Sequence, residues 1–90
     1  SAVLFFLGVT GIHPTAGLTT GDPDEAAMKR ALAARAADTY VLGSDEKIRT
    51  ASRYEVLALD AVTAIIADVA EADPTARALA ARGMTLLHAR

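Results

Sequence analysis

Cysteine and tryptophan are both absent from the 90 residues of this chain. The lack of cysteine excludes disulfides and thiolate metal sites. The aromatic residues are two phenylalanines and two tyrosines, too few for a platform on which nucleic-acid bases could stack. The two histidines, at positions 13 and 88, lack the spacing of metal ligands. We therefore predict no metal site and no cofactor.

Basic residues are also few and dispersed. Nine lysines and arginines stand among eleven acidic residues, and the formal net charge is −2. Because binding to nucleic-acid phosphates requires a clustered basic surface, we predict that this chain alone does not bind DNA. No apolar run is long enough to span a membrane, and the first residues lack the basic-then-apolar pattern of a signal peptide. We expect a cytoplasmic location and no membrane partner.

The chain is rich in hydrophobic residues, at 52%, with 22% charged residues, a composition typical of globular domains. Four or five short apolar runs, at 3–9, 39–43, 54–59, 63–67 and 84–88, alternate with helical segments. The runs are nearly continuous in hydrophobicity, as in strands that are buried on both faces. The sequence therefore predicts an α/β fold with a mainly parallel sheet of four to five strands flanked by helices.

Two helices begin with the same pair of residues. Asp22 and Asp73 are each followed by proline, and an aspartate cap with proline in the first helical position favours helix initiation. Gly83 is placed to end the second helix. These signals predict helices that start at residues 23 and 74.

The first helix is expected to run to about Ala37. A narrow buried stripe is predicted on it, formed by Met28, Leu32 and Ala36. The polar stretch 44–53 that follows the next apolar run is predicted to be a loop or a short helical turn. We treat residues 1–90 as a single domain or a fragment, and we expect a fragment because the chain opens directly on strand-like residues.

Candidate binding residues lie where predicted strands end, since ligands of open parallel sheets bind at the carboxyl ends of the strands. Gly8 and Gly11 follow the first strand, where a glycine-containing backbone can approach an anion closely. The alternative is a tight turn that needs glycine only for its dihedral angles. Neither the dinucleotide fingerprint nor the P-loop motif is present.

A second candidate segment follows the run 39–43 and contains Ser44, Asp45 and Lys47. A lysine at this position is suited to bind a phosphate as a mobile point charge. The alternative is a solvated charged loop. Asp68 directly follows the run 63–67. We favour the interpretation that it begins a turn over the alternative that it binds a ligand.

Glu25 and Lys29 are one turn apart on the first helix, in the order that favours an ion pair. Such a pair has either a structural role or a place in the binding site. Nucleophile, base and acid are not arranged in any recognisable order, so we predict no catalytic residue.

Three pieces of the first half occur in a distinctive order: Gly8-Val9-Thr10-Gly11-Ile12, then Gly17-Leu18-Thr19-Thr20, then Glu25-Ala26-Ala27-Met28-Lys29-Arg30. In this order and spacing they resemble the C-terminal, effector-sensing domain of the DeoR family of bacterial transcriptional regulators. The family pattern Leu-Ala-Asp-x-Ser-Lys-Phe is matched at Leu42 and Lys47. Ser44 stands where its aspartate is expected, and Ile48 replaces its phenylalanine.

The resemblance implies a Rossmann-like fold similar to that of sugar-phosphate isomerases, with this chain forming roughly the C-terminal half of the sensor. It implies a repressor that binds a phosphorylated sugar or related metabolite, forms a homo-oligomer and contacts DNA only through an N-terminal helix-turn-helix outside this chain. The implied effector-binding residues are Gly8, Gly11, Glu25, Lys29, Ser44, Asp45 and Lys47. Two alternatives remain, namely a sugar-phosphate isomerase or deaminase, and a purely structural oligomerisation module.

Overall fold

The computed structural model describes residues 3–88, and within them the chain forms two sheets and two α-helices. In chain order the elements are β1 Leu4–Gly8, β2 Gly11–His13, β3 Gly17–Thr20, α1 Pro23–Ala34, β4 Asp38–Gly43, β5 Tyr54–Leu57, a 3-10 turn Leu59–Ala61, β6 Ala64–Ala67, α2 Pro74–Ala81 and β7 Leu86–His88. None of the helices in this part of the chain has the length and apolar character needed to cross a membrane.

The larger sheet has four parallel strands in the order β1-β4-β6-β7. Leu7 lies opposite Val41, and Val41 lies opposite Ile65. Parallel neighbours need long connections, which here contain α1, the smaller sheet and α2. The prediction of an α/β fold with a parallel sheet and flanking helices is thereby confirmed at four strands.

The smaller sheet is antiparallel and has the order β2-β3-β5. We expected the apolar run that contains β5 to join the parallel sheet, and this was wrong, because β5 pairs antiparallel with β3. Glu55 is exposed while Val56 is buried, the alternation of a strand that is covered on one face only. The charged Glu55 within this run was the sequence signal that the strand belongs to an antiparallel sheet covered on one face.

The segment Gly17–Thr20, for which the sequence predicted no strand, is the central strand of the smaller sheet. All four of its residues are buried. It forms a hairpin with β2, and Gly17 has a positive φ of 79° where the turn enters β3. Glycine adopts this conformation without a steric penalty.

The caps of both helices are confirmed. Asp22 Oδ1 accepts hydrogen bonds from the backbone N–H groups of Asp24 and Glu25, at 2.8 and 3.3 Å. Asp73 caps α2 in the same way, and Gly83 follows that helix with φ of 84°. Polar groups that a helix leaves unpaired at its start are thus satisfied by side chains that the sequence identifies.

The buried stripe predicted on α1 is wrong. Met28 and Leu32 are 54% and 47% exposed, and Ala36 lies beyond the end of the helix. The helix packs chiefly against β5 and β3, and its buried residue is the small Ala26. It ends before Ala37, because the N–H of Ala37 donates to the carbonyl of Val3, at 2.8 Å, as the chain enters β4.

The two faces of the parallel sheet differ in their surroundings. One face, which carries the buried Leu7, Val41 and Ile65, joins the core formed with the smaller sheet and both helices; we call it the covered face. Successive side chains of a strand point to opposite sides, so the other face carries the exposed Phe6 and Leu42; we call it the open face. The expectation that the strands are buried on both faces therefore fails for the described residues.

Candidate functional site

The structure brings the first two candidate segments to one edge of the parallel sheet. β1 and β4 are neighbours in parallel register, with Gly8 opposite Leu42. Gly8 therefore ends its strand at the level where β4 leads into residues 44–50, which we call the 44–50 loop. In parallel sheets the loops that follow the strands lie together at the carboxyl ends, and ligands bind between these loops.

Backbone hydrogen bonds hold the 44–50 loop in place. The N–H of Ile12 donates to the carbonyl of Lys47, at 2.9 Å, and the N–H of Arg49 donates to the carbonyl of Ile12, at 2.8 Å. Between them the side chain of Ile48 is completely buried. The carbonyl of Ser44 also accepts from the N–H of Lys47, at 3.0 Å, so the loop is a folded turn fixed to β2.

Ser44 and Asp45 are engaged within the loop. The hydroxyl of Ser44 donates to Glu46 Oε1 at 3.4 Å. Asp45 Oδ1 lies 3.4 Å from Arg49 Nη2, one helical turn further along the chain. Both side chains are thus part of the loop's own bonding.

Lys47 differs from these neighbours in its bonding, and the residue is only partly exposed. Within residues 3–88 its ammonium group has neither a hydrogen bond nor an ion pair, although the backbone on both sides of it is fixed. An ammonium group on a fixed backbone with no internal partner is available to an anionic ligand.

Glu25, Lys29 and Gly8 form a second group at the end of β1. Lys29 Nζ lies 3.7 Å from Glu25 Oε1, and the predicted ion pair is present. The same ammonium donates to the carbonyl of Gly8 at 2.6 Å. Only 18% of the Lys29 side chain is exposed, so this lysine connects α1 to the end of β1.

Gly8 and Gly11 serve different purposes, and neither has a positive φ. A Cβ on Gly11 would lie 2.5 Å from Thr19 Oγ1 and 2.6 Å from the carbonyl oxygen of Thr50, so close approach requires glycine there. A Cβ on Gly8 would meet no atom within 4 Å. The backbone at Gly8 is therefore open to approach, while Gly11 is closely packed.

A cavity of about 530 Å³ lies beyond the ends of β4 and β6, and its polar lining consists of Asp45, Asp68 and Asp73. Asp68 directly follows β6, and its N–H donates to the carbonyl of Gly43 at 3.3 Å. Within residues 3–88, no group of three acidic or histidine side chains is close enough to hold a metal ion. The cavity is therefore an acidic pocket beside the 44–50 loop.

Sequence reasoning missed Arg49 and the second role of Asp73. Arg49 has φ of 80°, and its Nη2 lies 2.6 Å from Asp73 Oδ1. The pKa of the Asp73 carboxyl is held below its ordinary value chiefly by the hydrogen bond from the N–H of Ala76, with Thr75 and the Arg49 guanidinium acting in the same direction. The sequence identified Asp73 as a cap, but a contact across 24 residues has no local sequence signal.

Comparison with known proteins identifies the family of this chain. Residues 1–69 match the family model described as the DeoR C terminal sensor domain. The chain belongs to this family. The match contains both candidate groups, from Gly8 through the 44–50 loop, and it ends just after Asp68. The resemblance drawn from the sequence motifs is therefore confirmed for the sensor domain.

A curated relative of this sensor domain is a Bacillus subtilis (strain 168) protein described as "Uncharacterized HTH-type transcriptional regulator FruR". The two are 38% identical over 66 residues, which is 73% of this chain and 26% of that protein. The chain thus spans about a quarter of the length of that relative. No solved structure matches this chain significantly.

Proposed function

We propose that this sensor domain binds a phosphorylated sugar or a related metabolite at the carboxyl edge of its parallel sheet. The observation that carries the proposal is the ammonium of Lys47, which has no partner among residues 3–88, on a loop that backbone hydrogen bonds fix to β2. Lys47 would bind the phosphate, because a lysine presents a mobile positive charge to phosphate oxygens.

The acidic pocket suits the remainder of such a ligand. Carboxylate oxygens accept hydrogen bonds from hydroxyl groups, and Asp45 and Asp68 line the pocket beside the 44–50 loop. A sugar phosphate combines an anionic group with several hydroxyls. Ser44, which stands where the family pattern has aspartate, would contribute its hydroxyl in place of a carboxylate.

Gly8, Gly11, Glu25 and Lys29 complete the proposed binding site at the end of β1. Lys29 holds the carbonyl of Gly8, and Glu25 lies beside the lysine. These two side chains would set the position of the backbone that a ligand approaches at Gly8. Gly11 would keep that segment against the 44–50 loop.

The proposed role is regulatory. The curated relative is described as a transcriptional regulator, and we propose that DNA binding belongs to a domain outside this chain. In a homo-oligomeric repressor, an effector that binds one arrangement more tightly than another shifts the population between them and so changes operator affinity. No turnover of the ligand is expected.

We also propose that the chain is one part of a larger sensor domain, and that further residues of the same protein cover the open face. All-parallel sheets occur almost only with both faces covered, whereas Phe6 and Leu42 here are exposed. The length of the relative, of which this chain spans 26%, leaves room for the covering segments.

The test is a thermal-shift screen of the native-length protein with sugar phosphates such as ribose 5-phosphate and glucosamine 6-phosphate, and with the unphosphorylated sugars alongside. A ligand that binds only the native state raises the melting temperature. The shift should appear with a phosphorylated compound only, and Lys47→Ala should abolish most of it. Arg53→Ala, which removes an exposed positive charge six positions away, is the matched control and should retain the shift.

Three results would refute parts of this proposal. An unaltered shift in Lys47→Ala would remove the phosphate-binding role of that residue. Isomerisation or deamination of a bound sugar phosphate would favour an enzyme. A flat panel would favour an oligomerisation module without a metabolite ligand.

A further inference from the structure

Arg49 connects the 44–50 loop to the start of α2. Its Nη2 lies 2.6 Å from Asp73 Oδ1 and 3.4 Å from Asp45 Oδ1. Half of the arginine side chain is exposed, but only 15% of the Asp73 side chain is. The short contact is therefore made to the better shielded of the two carboxylates.

Asp73 divides its two oxygens between two structures. Oδ2 accepts the N–H groups of Thr75 and Ala76, at 2.9 and 3.1 Å, and so caps α2. Oδ1 binds Arg49. One carboxylate thus belongs to both the helix and the loop, and a movement of either would disturb the bonding of the other.

The backbone of Arg49 supports the same interpretation. Its φ of 80° is unusual for a residue with a side chain, and such conformations persist when the surroundings determine them from several directions. Here the N–H of Arg49 is held by the carbonyl of Ile12 and the guanidinium by Asp73. Lys47 lies two residues before this doubly attached position.

We propose that Arg49 is a positioning residue, whose ion pair with Asp73 fixes the 44–50 loop to α2 so that Lys47 is held ready for an anionic ligand that Arg49 itself does not contact. The ligand-binding half of this proposal rests on the proposed function of Lys47. The attachment of the loop does not, because it is a property of the protein without a ligand. Many ion pairs of exposed side chains contribute nothing measurable, and the experiment has to exclude that outcome.

The experiment uses the native-length protein with Asp73→Asn. Asparagine caps a helix about as well as aspartate, so this variant keeps the hydrogen bonds to Thr75 and Ala76 and loses the negative charge. The control is Asp22→Asn, which makes the same change at the cap of α1, where no ion pair of the aspartate is present among residues 3–88.

The first readout is trypsin cleavage after Lys47 without ligand, since cleavage of a folded loop follows its local opening. We expect Asp73→Asn to be cleaved about threefold faster, the scale of a partly exposed ion pair, and Asp22→Asn to be cleaved at the wild-type rate. Arg49→Gln combined with Asp73→Asn should be cleaved no faster than Arg49→Gln alone, because the contact with Asp73 is already lost in the single variant. Equal rates in wild type, Asp73→Asn and Asp22→Asn would overturn the attachment.

The second readout is the dissociation constant for the phosphorylated sugar that gives the largest thermal shift. Arg49→Gln, which breaks the same ion pair at a residue outside the lining of the acidic pocket, should weaken binding about threefold and Asp22→Asn should not. Faster cleavage with unchanged affinity would overturn the positioning role. If no phosphorylated sugar binds the wild-type protein, the proposed function fails and the ligand half of this inference fails with it, while cleavage still decides whether Arg49 attaches the loop.

Discussion

The two faces of the parallel sheet are built from the same strands and from similar residues, and yet they have different surroundings. Ile65 on the covered face is completely buried, whereas Phe6 on the open face is 56% exposed. Burial of apolar surface is the main contribution to stability. The comparison teaches that a hydrophobic strand sequence indicates side chains that favour burial. Which face of the sheet is actually buried depends on the elements that pack against it.

The largest expected effect comes from the covered face. Ile65→Ala should lower the free energy of unfolding by about 3 kcal/mol, because it leaves a cavity among fully packed side chains. Urea unfolding of the native-length protein measures it. Arg53→Ala, on the surface, should remain within about 0.5 kcal/mol of wild type. A loss for Ile65→Ala as small as that of the control would mean that the core is elsewhere.

The second prediction tests whether the open face stays open. If other residues of the native-length protein cover it, as we propose, Leu42→Lys places a charge in an apolar interface and should lower the free energy of unfolding by about 2 kcal/mol. The control Ala81→Lys, at the exposed end of α2, should change little. Equal, small effects in the two variants would show a face that is solvated in the whole protein, and the larger-domain proposal would fail.

The third prediction concerns α1, which joins the covered side through Ala26. Asp22→Ala should lower the free energy of unfolding by about 1 kcal/mol, because the N–H groups of Asp24 and Glu25 lose their acceptor. Asp22→Asn keeps an acceptor and should be nearly neutral. Chemical unfolding of both variants provides the measurement, and equal losses would assign the effect to charge and not to capping.

The smallest effect is a pH dependence at the start of α2. The pKa of Asp73 in the folded protein lies below the unfolded value of 3.8, so the carboxylate stabilises the fold fully above that value. This contribution is lost as the pH falls through the folded pKa. The difference in free energy of unfolding between wild type and Asp73→Asn should therefore shrink as the pH is lowered from about 5 to about 2. Urea unfolding at several pH values in this range measures it. A difference that stays constant over this range would contradict the role of the charge.

Much of the fold could be predicted because its signals are local. The aspartate-proline pairs place the starts of both helices, and the short apolar runs place the strands of the parallel sheet. The antiparallel hairpin was missed because the strands β2 and β3 have only three and four residues. Met28 and Leu32 have helical spacing, but α1 packs through a smaller residue on another side, and spacing alone does not tell which side a neighbour occupies.

The candidate site could be predicted in part for the same reason. Strand ends and a charged loop after β4 are visible in the sequence, and the structure brings Gly8 and the 44–50 loop to one edge. Two features depend on contacts between segments that are distant in sequence. They are the hydrogen bond from Lys29 to the carbonyl of Gly8 and the ion pair of Arg49 with Asp73. Such contacts follow from the packing of elements and have no pattern along the chain.

The bridge between Ile12 and the 44–50 loop is made by main-chain atoms alone, which every amino acid except proline can supply. A family that keeps such a bridge can replace the loop's outward side chains one at a time without refolding it. Ser44 stands where the resemblance leads us to expect aspartate, and its carbonyl still accepts the N–H groups of Lys47 and Ile48, at 3.0 and 3.3 Å. At the proposed site, the bridge thus makes the backbone of the loop independent of the side chains it carries, so that a substitution can change the chemistry offered to a ligand without changing the backbone hydrogen bonds.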